Sequence, residues 1–134
     1  METQYLNGTA LKDLIHRLSV SNDPDAREDL GSVQDAMKSF HNYVDTVVEG
    51  EAGLLFRGSG LEGQEYRDAV AQYDEDRHNA HEKAIGDAVL LNRLASRNGL
   101  PPVFTGDETQ RHQIAEFCLE TEQYFFRNRR MKLS

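Results

Sequence analysis

Tryptophan is absent from this 134-residue chain, so its core must rest on Leu, Val, Ile, Phe and Tyr. A single cysteine, Cys118, forbids an intrachain disulfide and points to no oxidising compartment. No apolar run approaches the ~20 residues that span a bilayer. The first residues, Met1 to Tyr5, show neither a basic nor an apolar leader pattern, and the expectation is a cytoplasmic protein without membrane contact. Basic residues are also scarce. There are 15 Lys and Arg against 23 Asp and Glu, a net charge of −8. Four of the basic residues, Arg127, Arg129, Arg130 and Lys132, sit in a short tail at 127–134, so the rest is more acidic still. Such a body repels phosphate backbones, which argues against nucleic-acid binding. The tail is read as helix-end cations that complement the helix dipole.

What is present suits helices. Hydrophobic residues make up 38% and charged residues 28% of the chain, the balance of amphipathic segments with one buried stripe each. The length is ordinary for a single domain, taken here as residues 1–134. A first helix is predicted from about Thr9 to Val20, with Leu11, Leu14, Ile15 and Leu18 at helical spacing. A second starts at Asp23-Pro24, carries Leu30, Val33, Met37, Phe40, Val44 and Val47, and stops at Gly50. Residues 50–60 hold four glycines and read as a loop in which Leu54, Leu55 and Phe56 plug the bundle end. Ser59 and Glu62 have the spacing of a capping box for the third helix. That helix, about 62–98, ends at Gly99 and Pro101-Pro102. At roughly 55 Å it is overlong, so it either bends near Gly86 or packs its overhang on something else. The fourth starts at Asp107 with Gln110 as box partner and buries Ile114, Phe117, Cys118, Thr121 and Phe125. The fold class expected is an all-α bundle of about four helices, with the first covering one side.

Chemistry has few places to reside. On a helical wheel Tyr66, Val70, Tyr73, Ala84, Ala88, Leu91 and Ala95 fall within about 60° of one another, and Arg77 lies inside that stripe with His81 near its edge. A guanidinium on a core face needs an acid, expected from another helix unless Asp74 curls inward. Together with His41, beside the stripe of the second helix, Arg77 and His81 are the candidate ligand-binding residues. The structural alternative is a buried network that fixes helix register.

No metal site is expected. Glu75 and His78 spell Glu-x-x-His, and Asp13 and His16 share the spacing, but both pairs face outward on their helices, and no cluster completes the set for His78, His81 and Glu82. All-helical nucleotide pyrophosphohydrolases share the chain's size, acidity and a Glu62-x-x-Glu65 start, yet the second carboxylate pair is missing. The His-Asp doublet of another hydrolase class does not occur. Gly58, Gly60 and Gly63 imitate a dinucleotide motif without the strand it requires. Cys118 has acidic, apolar neighbours that disfavour a thiolate.

The second half, from Arg77 through Ala80-His81, Leu91-Asn92-Arg93-Leu94 and Gly99-Leu100-Pro101-Pro102 to Phe126-Arg127-Asn128-Arg129, resembles a domain-of-unknown-function family of small bacterial helical proteins. The resemblance implies an all-helical fold and a bacterial origin, and transfers no chemistry. The leading functional expectation is a non-enzymatic binding or regulatory module without a cofactor, acting through protein contacts. The alternative is a small ligand-binding or hydrolytic bundle with His41, Arg77 and His81 around a pocket. Since the stripe of the third helix outruns its neighbours, a homodimer is expected, with Leu54, Leu55 and Phe56 near the contact.

Overall fold

The computed structural model describes residues 4–58 and 63–127, with side chains over 4–50 and 63–124. Four helices follow in order: α1 (Gly8–Val20), α2 (Pro24–Gly58), α3 (Gln64–Arg97) and α4 (Arg111–Arg127). Among the described residues the only β-type pairing is an isolated bridge between Leu6 and Phe104. The chain is an all-α bundle.

Each helix is set by local chemistry. Asn7 caps α1 by accepting from the Ala10 amide at 3.1 Å, and the stripe Leu11, Leu14, Ile15 and Leu18 is buried as its spacing predicts. Asp23 accepts from the Asp25 amide at 3.0 Å to open α2. At the other end of α3, Gly99 (φ 70°) takes the left-handed conformation that closes a helix. The Leu100 amide donates to Ala95 and the Gly99 amide to Ser96, the paired bonds of a Schellman stop.

Three boundaries differ from expectation. The loop placed at 50–60 is helical as far as Gly58, so α2 does not stop at Gly50. Glycine inside a helix costs only about 1 kcal/mol against alanine, and Glu51, Ala52, Leu54 and Leu55 are good helix formers. Gly50 marks a close approach instead, because a Cβ there would lie 2.4 Å from the Tyr73 ring. The side chains of Leu54, Leu55 and Phe56, like the Ser59–Glu62 box, lie outside the described residues. Gly63, without a side-chain cap, precedes α3. The fourth helix begins at Arg111 rather than Asp107. Asp107 spends its carboxylate on the amide and hydroxyl of Thr109, and its own amide donates to the side chain of Gln113 rather than Gln110. A turn therefore precedes the helix.

The two long helices run antiparallel, as the Asp29–Arg97 ion pair near one end and the Gly50–Tyr73 approach near the other require. The third helix, at 34 residues, is as long as expected, and α2, at 35, matches it. Around α2 and α3 the core gathers Phe40, Phe117 and Phe104, whose rings meet at 5.0 and 4.9 Å. On α3 every buried residue lies between Ala80 and Ala95. On α2 the described buried residues lie between Ala26 and Val44. Past those points the pair continues as a hairpin whose described residues are half-buried or exposed. From Gln64 to Asn79 this is about 24 Å of helix.

The N-terminal segment is tied to the far end of the chain. Glu120 on α4 accepts the amides of Tyr5 and Leu6 at 2.9 and 2.8 Å. Asn92 on α3 accepts from Val103 and Phe104 and donates to the Phe104 carbonyl, each at 2.9 Å. One half-buried amide side chain thus substitutes for the backbone partners that this connection lacks.

Candidate functional site

His81 and Arg77 lie one turn apart on α3, at the root of the hairpin. His81 is 7% exposed, its ring tilted against Tyr43 of α2 at 5.8 Å between centroids. Neither ring nitrogen has a hydrogen-bond partner among the described residues. Burial, aided by the Arg111 charge, holds the imidazole pKa below its ordinary value. Burial also pushes the Tyr43 hydroxyl up, with Cys118 adding to the effect.

Arg77 is half-buried, with its guanidinium 5.6 Å from the centre of the Tyr73 ring. Its acid is Asp74 of the same helix, at 3.7 Å, and not a carboxylate of another helix. An arginine stem long enough to reach past the edge of the stripe explains this, since the head group can pair at the surface while the stem packs. The Nε remains buried without a partner among the described residues.

His41 does not join them. Residues two apart on a helix point about 200° apart, so His41 faces away from Tyr43 and towards α4. There its Nδ1 lies 2.9 Å from Glu122, and its Nε2 lies 3.1 Å from Asp45, one turn along α2. These three residues form a group whose donor atoms lie within 4.8 Å of one another. Glu122 stands 81 positions from His41, and no spacing in the sequence connects them. Glu75, His78, Asp13 and His16 are all exposed, as their wheel positions predict.

Between α2 and α3 runs an open cleft of about 830 Å³. Asp45 and Glu49 line one wall, and Asp76, Asn79 and Lys83 the other. None of His41, Arg77 and His81 lines it. Three carboxylates face one ammonium there, and that ammonium is already 3.2 Å from Asp87. Such a wall suits cationic or amide-bearing groups, not anions. Nucleophilic chemistry gains nothing from Cys118, which is buried and whose thiol burial and Glu122 push up to about 12.

No curated protein and no solved structure matches the chain. Residues 9–131 match a family described as a protein of unknown function, DUF3232. The match takes in the first half as well as the second, which alone carried the resemblance in residue pattern. With nearly its whole length so matched, from α1 through α4, the chain belongs to the DUF3232 family.

Proposed function

We propose that the protein is a non-enzymatic binding module that works through the α2–α3 hairpin, with a second copy of itself as the first partner. One observation carries this reading. Within the bundle, Ala84, Ala88, Leu91 and Ala95 of the α3 stripe are fully buried, whereas Tyr66 on the same stripe is 43% exposed and Val70 and Tyr73 are only half-buried. Val48, on the α2 side of the hairpin, is 57% exposed. Continuing the stripe past its cover costs solubility unless something buries it. In a symmetric dimer each hairpin offers the other the same apolar face, which is the commonest way such a face is covered.

A reducing, cytoplasmic setting belongs to the same proposal. It is supported by the single buried cysteine and by the finding that no described helix is long and apolar enough to cross a membrane. A bacterial origin rests on the residue resemblance of the second half. Sedimentation from low to high micromolar concentration tests the assembly. A reversible monomer–dimer equilibrium that Tyr66→Ser and Val70→Ser shift to monomer is expected, and a monomer throughout defeats the reading.

A second reading, a small polar ligand held beside His81 and Arg77, is favoured by nitrogens of both residues that have no partner among the described residues. A ligand that quenches or shifts the His81 ring resonances, without touching those of His78, is its test.

A further inference from the structure

The contacts of His41 cannot both be ordinary hydrogen bonds of a neutral ring. A neutral imidazole has one N–H donor and one lone pair, whereas the carboxylates of Asp45 and Glu122 only accept. Yet both ring nitrogens stand against carboxylate oxygens, at 2.9 Å to Glu122 and 3.1 Å to Asp45. One of the two contacts therefore brings lone pair against lone pair unless a cation completes it. A second proton on the ring is one such cation. A metal ion is the other.

We propose that His41, Asp45 and Glu122 form a zinc site at the seam of α2 and α4. The donor set is one imidazole and two carboxylates, with the donor atoms within 4.8 Å of one another. Zinc bonds of about 2.0 to 2.2 Å need donors roughly 3 to 4 Å apart, and because the carboxylates stand against different ring nitrogens, one of them must rotate to the nitrogen that holds the ion. His41 and Asp45 are one turn apart on α2, and Glu122 approaches from α4, so two packed helices fix three ligands and leave the remaining position for water. Charge balances as well. Neutral imidazole binds through its lone pair and keeps its one N–H, so with two carboxylates the ligands sum to −2, which one divalent ion cancels. Imidazole nitrogen selects zinc over magnesium and calcium, which prefer all-oxygen shells. The ligands are 59%, 45% and 35% exposed, so the ion is bound reversibly at the surface and not locked in the core.

Spacings along single helices, such as Glu75 to His78, carry no such set. This set crosses between helices 81 residues apart.

The test is titration calorimetry of the full chain with zinc chloride after dialysis against chelator, with magnesium and calcium chloride in parallel. One zinc per chain is expected, with no comparable heat from magnesium or calcium. His41→Ala and Glu122→Gln each weaken binding by at least about tenfold, since even outer-shell changes commonly cost that much. His78→Ala, on the exposed face of α3, leaves it unchanged. Circular dichroism confirms the fold of each variant, and Asp45→Asn stands in if one of them unfolds. Absence of zinc binding by the wild-type chain overturns the proposal. So does full binding by folded His41→Ala, loss in His78→Ala, or equal affinity for magnesium.

Discussion

An imidazole buried without a hydrogen-bond partner among the described residues makes the bundle sensitive to acid at one residue. Charging His81 beneath Tyr43 and near Arg111 and Arg77 meets desolvation and like charge together, and Glu82 opposes them only in part. Its folded pKa is lowered, so the unfolded chain takes up the proton first. Stability from this group is complete above the ordinary imidazole pKa of about 6.5 and declines as the pH falls below that towards the lowered folded value. Urea midpoints at a series of pH values should show that decline, and His81→Leu should flatten it. Replacing an unpartnered polar ring by an apolar side chain should cost no more than about 1 kcal/mol near neutrality. Arg77 behaves differently. Its acid Asp74 is itself 59% exposed, so solvent screens the pair and its loss strands no buried charge.

Helices and their connections respond to changes that never touch a site. A Cβ added at Gly31 of α2 or Gly86 of α3 meets nothing within 4 Å, and neither residue has a positive φ. Gly31→Ala together with Gly86→Ala should therefore raise stability by about 1 to 2 kcal/mol, from helix propensity and a less free unfolded chain. Gly50→Ala should fall short of either single change, because its Cβ displaces Tyr73. Chemical denaturation of the three variants under one buffer decides the comparison. The connection between α3 and α4 has its own keystone. Asn92→Ala removes three hydrogen bonds from Val103 and Phe104, both buried, and should destabilise the fold by about 2 to 4 kcal/mol. Amide exchange at those two residues should speed up beyond the global change. The start of α4 shows how element boundaries escape a residue pattern. Asp107 has every local sign of an N-cap, but its carboxylate is taken by Thr109, and only the turn geometry reveals that competition.

For the whole molecule, the division between a buried bundle and a hairpin whose described residues are more exposed is the feature with most consequence. Self-association through that hairpin should depend on the Tyr66 face and stay insensitive to His41→Ala, whereas zinc binding should show the reverse dependence. Analytical ultracentrifugation of both variants, with and without zinc, separates the two. The all-α class, the four helices, the α1 stripe and the Gly99 stop were legible because each rests on periodicity or on a conformational preference confined to a few neighbouring residues. The stripe from Tyr66 to Ala95 was legible as a face, but not the point at which cover ends, since that depends on where α1 and α4 lie. Helicity at 50–58 was hidden behind glycines whose small local penalty the good helix formers between them outweigh. The meeting of His41 with Glu122, of Glu120 with the Tyr5 and Leu6 amides, and of Asn92 with Phe104 joins residues far apart in the chain. Sequence by itself determined which residues turn inward on each helix, because backbone geometry links neighbours at a set angle. Tertiary structure alone decided which inward faces meet, because that choice belongs to packing between helices and leaves no periodic trace within any one of them.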